Sequence, residues 1–167
     1  MDCDLLSHAR SRVRSGGAAV SLDFLDIHPL LKRYGIQPKK SLGQNFLVEP
    51  AGLMKVISAA GLESGEEVLE IGAGLGSLTV LLAQTCKRVT TVEIDPRMLP
   101  PLDEALKPYQ NVRVVPGDIL ELNPSELVQQ EDYVVVANIP YCITSAIIRH
   151  LLAAERKPSR LILTIQK

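Results

Sequence analysis

From residue 67 onwards, short apolar runs alternate with segments of helical spacing. The runs are "EVLEIGA" (67 to 73), "RVTTVEI" (88 to 94), "VRVVPG" (112 to 117), "YVVVAN" (133 to 138) and "RLILTI" (160 to 165). Between them stand "SLTVLLAQTC", "MLPPLDEALK", a short "PSELVQQ" and "TSAIIRHLLAAE". This alternation predicts an α/β fold, a parallel sheet with helices on both faces. Pro100-Pro101 breaks the second helical segment and predicts a displaced or kinked start. Upstream, Pro50 suits a first helical position, Leu53, Val56, Ile57 and Ala60 keep helical spacing, and Gly61 suits the stop, so a helix is predicted over 50–60. Residues 1–27 show Ser/Gly/Arg bias, a Gly16-Gly17 break and no sustained period, which predicts a mobile or partly helical extension ahead of a domain over 28–167. "RLILTI" is apolar on both faces, as covered interior strands are. Because the chain stops two residues later, the expectation is a fragment of a longer protein, with sheet neighbours still to come.

Composition narrows the class. The chain has 167 residues, enough for about one domain, and its 46% hydrophobic content suits a folded core. Runs such as "YVVVA" and "LILTI" fall far short of the roughly 18 residues that cross a bilayer, and the N-terminus has no signal-peptide core. A cytoplasmic protein without a membrane partner is therefore expected. Cys3, Cys86 and Cys142 form no CxxC pair, so neither a disulfide framework nor a zinc site is indicated. The net charge of −1 conceals an asymmetry: residues 1–60 carry eight Lys/Arg against five Asp/Glu. In "HPLLKRYGIQPKKSLGQN" four bases, Lys32, Arg33, Lys39 and Lys40, stand without an acid, a pattern that suits phosphates as well as it suits a solvated loop.

Candidate chemistry gathers where strands end. "LEIGAGLGSLT" sets Gly72, Gly74 and Gly76 between a strand and a helix, where glycine permits a sharp turn and close backbone approach to a ligand. A dinucleotide fingerprint would require Gly at position 77, which is Ser, and a phosphate-loop Gly-Lys-Ser/Thr is lacking. A ligand with an adenosine but no pyrophosphate remains, and S-adenosylmethionine fits. Glu93, in "TVEID", lies seventeen residues beyond Gly76 and can accept from both ribose hydroxyls. Asp118, in "VVPGDIL", ends the next strand and can accept from an adenine amine. Either acid alone reads equally as a helix N-cap; three consecutive strand ends bearing glycines, Glu and Asp point to one crevice.

The fourth strand ends in "ANIPY". The side-chain carbonyl of Asn138 and the backbone carbonyl of Ile139 or Pro140 are two acceptors suited to the hydrogens of an exocyclic amine. Held in this way, the amine nitrogen becomes pyramidal and nucleophilic, and the bonds strengthen towards the transition state. Tyr141 offers a flat face to a base taken from its stack. The plainer reading makes Asn138 a turn residue and Tyr141 core.

Together, "SLGQNFL", "EIGAGLGSLT", "VEID", "GDIL" and "NIPYCITSAIIRHLL" resemble the ribosomal RNA adenine dimethyltransferase family, most closely its KsgA-type small-subunit branch, over residues 30–167. The resemblance implies a Rossmann-like class I S-adenosylmethionine-dependent methyltransferase fold, incomplete at the C-terminus, and dimethylation of two adjacent adenines in small-subunit ribosomal RNA. It implies contacts to the cofactor's methionine part from Asn45 and Leu47, with Gly72 and Gly74 alongside. Glu93 is implied at the ribose, Asp118 at the adenine amine, and Asn138 between cofactor and target. Arg33, Lys39 and Lys40 are candidates for RNA phosphates on a 30S precursor particle, bound by a monomer. Two other readings stay open: a large-subunit methyltransferase of the macrolide-resistance type, which shares an "NIPY"-like motif, and a non-catalytic RNA-binding assembly factor. An oxidoreductase is disfavoured by Ser77.

Overall fold

The computed structural model describes residues 8–15, 18–36 and 49–166. Five parallel strands form the central sheet: β3 (Glu67–Ile71), β4 (Arg88–Glu93), β5 (Val112–Pro116), β6 (Val134–Pro140) and β7 (Arg160–Gln166), in the order β5-β4-β3-β6-β7. The chain runs outward from β3 through β4 to β5, then crosses back to β6 on the other side of β3. That reversal opens a crevice between the carboxyl ends of β3 and β6, the place where ligands of open α/β sheets bind.

Both faces of the sheet are covered because alternate residues of each buried strand point to opposite sides. Val68, Val89, Val134 and Val136 pack on one face with Leu53, Val56 and Ile57 of α2 (Pro50–Ala60) and Leu78, Leu81 and Leu82 of α3 (Ser77–Thr85). Leu69, Ile71, Val92, Val135 and Ala137 pack on the other, with Ile147 and Leu151 of α6 (Tyr141–Ala153) and Leu127 of the short α5 (Pro124–Leu127). α2 has the predicted bounds: Pro50 opens it, and Gly61 closes it at φ 53°, where its N–H reaches Ile57 O at 3.3 Å.

Two expectations are corrected. α4 (Leu99–Leu106) starts ahead of its prolines without displacement. Pro100 and Pro101 occupy the first turn, where backbone N–H groups have no intrahelical acceptor to lose. Within residues 1–27, expected as a mobile or partly helical extension, the described residues are not helical but form an antiparallel pair, β1 (His8–Ser15) and β2 (Ala18–Leu25). Leu22 and Phe24 of β2 are buried against α2 and α3. The side-chain amide of Gln84 on α3 accepts from Asp23 N–H (2.8 Å) and donates to Asp23 O (2.9 Å), doing for β2 what a neighbouring strand would do. β7 has β6 as its single sheet neighbour among the described residues, as expected of an interior-type strand whose further neighbours are missing. It is apolar on both faces because Leu161 and Leu163 pack on one core and Ile162 on the other. A third apolar cluster joins α4 to Leu30 of α1 (His28–Tyr34) and to Leu75 and Val80. No helix of the described residues is long and apolar enough to cross a membrane.

Candidate active site

The glycine loop leaves β3 with Gly72, Gly74 and Gly76 at φ 84°, 57° and 88°, a region that side chains disfavour. Gly72 also stands next to the end of β6. A Cβ there would lie 3.5 Å from the backbone oxygen of Asn138, so the loop and the end of β6 share one crevice wall. At Gly76, which caps α3, a Cβ would come within 3.0 Å of Leu102 Cδ1. Gly72 N–H also donates to Val92 O at 2.9 Å, which fastens the loop to β4.

Glu93, the last residue of β4, is 5% exposed. Its Oε2 accepts from Gly74 N–H at 2.7 Å and its Oε1 from Asp95 N–H at 2.8 Å. Burial raises its pKa, and these two N–H groups act against the rise. Each carboxylate oxygen carries a second lone pair, so hydroxyl donors can still be accepted once the loop amide is in place. Ile94 follows at 55% exposure, an apolar surface beside an acid. Asp95 is fixed in turn by Arg97, whose Nε lies 3.0 and 3.1 Å from its two oxygens.

The loop after β5 meets the same region, since Gly117 N–H donates to Glu93 O at 2.9 Å. Asp118 is half-buried, and its Oδ1 accepts from Leu120 N–H at 2.9 Å, which closes a turn; no helix begins here, so the N-cap reading weighed from sequence does not apply to it. At the end of β6, Asn138 is half-buried, Ile139 is buried, and Tyr141, the first residue of α6, is 72% exposed. Strand passes directly into helix with Pro140 between them. The two candidate carbonyls therefore differ: Pro140 O accepts from Thr144 Oγ1 at 3.1 Å within the first turn of α6, which favours Ile139 as the second acceptor.

The structure thus brings together Gly72, Gly74, Glu93 and Asn138, sets Asp118 one strand further out, and leaves Tyr141 open. Asn45, Leu47, Lys39 and Lys40 lie outside the described residues. Arg33, a candidate phosphate ligand, pairs with Glu104 of α4, and the Tyr34 hydroxyl donates to the same carboxylate at 2.7 Å. That hydrogen bond, with the Arg33 charge, holds Glu104 below the usual carboxylate range. Arg33 ties α1 to α4, so a phosphate would compete with Glu104 for it. The sequence reading missed Ile94 and missed Glu70, a buried carboxylate in β3 bonded to two threonines. A signal existed for each: an isoleucine between two acids at a strand end, and an acid inside an otherwise apolar strand.

The chain is 43% identical over 136 residues to the ribosomal RNA small subunit methyltransferase A of Lysinibacillus sphaericus, covering 78% of this chain and 46% of that protein. Among solved structures it is similar to the 23S rRNA methyltransferase ErmE, with TM-score 0.64 and 35% identity over 73% of this chain and 48% of that one. It is also similar to a dimethyladenosine transferase from Plasmodium falciparum, with TM-score 0.62 and 36% identity over 71% of this chain and 42% of that one. The chain spans about half the length of the curated relatives it matches. The sheet order and these neighbours make the fold that of the Rossmann-like class I methyltransferases. With residues 35–167 matching the family's own pattern, a stretch that holds the glycine loop, both strand-end acids and the Asn-Ile-Pro-Tyr turn, the chain belongs to the ribosomal RNA adenine dimethylase family.

Proposed function

We propose that the chain is the cofactor-binding and methyl-transferring part of an enzyme that dimethylates the exocyclic amines of two adjacent adenines in small-subunit ribosomal RNA, with S-adenosylmethionine as donor. The observation that supports this reading is the closeness of Gly72 to Asn138, whose backbone oxygen would lie 3.5 Å from a Cβ at Gly72, because it makes the proposed cofactor loop and the proposed amine-binding turn neighbours. The names of the curated relatives support the small subunit over the large. A 30S precursor particle is the substrate this implies, met by a monomer in the cytoplasm.

Bound here, S-adenosylmethionine supplies an electrophilic methyl on a sulfonium. Gly72 and Gly74 give its chain a surface free of side chains, Glu93 accepts from the ribose hydroxyls, Ile94 covers one face of the adenine, and Asp118 accepts from the adenine amine. Asn138 Oδ1 and the Ile139 carbonyl hold the hydrogens of the target amine, while Tyr141 stacks on the extruded base. So held, the amine nitrogen would be directed at that methyl, with the C–S bond electrons passing to sulfur and the nitrogen's proton to solvent. Positioning and charge stabilisation do most of the work, so no general base is required before attack.

Calorimetric titration with S-adenosylmethionine, paired with transfer of labelled methyl groups to 30S and 50S precursors, tests the assignment. Saturable binding and label in 30S RNA are expected. Label in 50S RNA alone would overturn the substrate, and absence of binding would overturn the cofactor.

A further inference from the structure

Glu70 is 1% exposed in the central strand, two residues before Gly72. Its Oε2 accepts from Thr79 Oγ1 and from Thr91 Oγ1, each at 2.6 Å, while its Oε1 is buried without a hydrogen-bond partner among the described residues. Thr79 lies in the first turn of α3, the helix that leaves the glycine loop. Thr91 is the register partner of Glu70 on β4, two residues before Glu93 and on the same face. One oxygen therefore joins the three elements that hold the loop and its acid. At the far end, Gly74 N–H on Glu93 Oε2 closes the same circuit. The path runs from Glu70 through Thr91 and β4 to Glu93, across to Gly74, and back along the loop to Thr79.

A buried carboxylate with one oxygen unpaired contributes poorly to stability, since its desolvation cost is only partly offset. An apolar residue would fill a buried strand position at less cost. What the carboxylate contributes is geometry: two short bonds in fixed directions, one to a helix and one to a strand. We propose that Glu70 is a positioning residue for the cofactor cradle, setting through Thr79 and Thr91 the spacing between the glycine loop and Glu93. This rests on the S-adenosylmethionine reading of the site and adds a residue to it that touches no ligand.

Thr79 separates this role from ordinary packing. Thr79→Val keeps the volume and removes the hydroxyl, whereas Thr79→Ser keeps the hydroxyl and removes a buried methyl. If Thr79 only packs, the serine variant is the worse of the two. If Glu70 positions the loop through it, the valine variant is the worse, and Thr91→Val behaves alike. Calorimetry on the 167-residue chain should show S-adenosylmethionine Kd raised about tenfold by either valine, the effect of roughly one hydrogen bond, and within about twofold of the parent for serine. Hydrogen exchange at the Gly74 amide reports loop position without any cofactor, and should quicken about tenfold in the valine variants alone. Parent-like affinity and parent-like Gly74 protection in both valine variants would overturn the proposal. Failure of the parent chain to bind S-adenosylmethionine would overturn the cofactor reading, with Gly74 exchange still deciding whether Glu70 sets the loop.

Discussion

At the ends of β3 and β4 the polar groups are already bonded to one another; just past the end of β6 a phenol ring stands open to solvent. Glu93 is 5% exposed and holds two backbone amides, while Tyr141 is 72% exposed. A small flexible ligand needs a cradle whose donors and acceptors are set before it arrives, because ordering them on binding would cost affinity. A base delivered by a large RNA brings its own wall, and an open platform admits it. The two halves meet at Gly72 and Asn138 and differ in what they await.

The sharpest way to break this contrast is to remove the residue on the seam. Asn138→Ala should lower turnover about 100-fold or more, the range for losing a transition-state hydrogen bond, while S-adenosylmethionine affinity changes far less. Single-turnover methyl transfer checks it, and unchanged incorporation would remove Asn138 from the chemistry. On the cradle side, Gly76→Ala forces a side chain into φ 88° and against Leu102. It should cost about 1–2 kcal/mol, measured as a lowered urea midpoint, with cofactor affinity falling in step.

Acidity sharpens the comparison from another direction. Burial pushes Glu70 from 4.5 to about 7, against the pull of its two threonines. The unfolded chain loses that proton near 4.5 and the folded one holds it to about 7, so the folded state binds more protons in this window. Stability is therefore greatest below the window and is lost as pH rises through it. Tm should fall by about 4–8 °C between pH 5 and pH 8, and Glu70→Gln should flatten the profile. A Tm that rises across the window in the parent chain would contradict it.

Smaller effects are expected on the open side. Tyr141→Ala should leave Tm and cofactor affinity in place and raise the KM for RNA about tenfold, since stacking on an aromatic is worth roughly 1–3 kcal/mol. Neutralising Lys39 and Lys40 together should weaken RNA binding a few-fold and shallow its salt dependence by about two phosphate contacts, with cofactor binding unchanged. A steeper salt slope would place the RNA elsewhere.

Much of this could be read before any coordinates. Five apolar runs became five parallel strands because fully buried strands must be apolar on both faces, and helices between them force parallel crossovers. The carboxyl ends of those strands then collect whatever chemistry the chain carries, so Gly72, Glu93 and Asn138 were legible as a group. β1 and β2 were not. Their alternation, Val20, Leu22 and Phe24, is short and sits among Ser, Gly and Arg, and the partner that makes it a buried face is α3, sixty residues on. Glu70 was missed for a related reason: its meaning lies in Thr79 and Thr91, which the fold alone brings within 2.6 Å. Pattern finds elements and their ends; bonds between elements need the fold.

The exposed ring at the head of α6 has an optical consequence. The chain contains four tyrosines and no tryptophan, so no indole masks phenol emission. Tyr133 is buried, Tyr109 is half-buried against the third apolar cluster with its hydroxyl accepting from Gln84 at 3.3 Å, and Tyr34 donates to a carboxylate that drains its excited state. Tyr141, open to solvent, is then the ring whose brightness answers to what lies on it. A nucleobase arriving there dims the protein's own fluorescence, and the arrival of substrate becomes visible without a label.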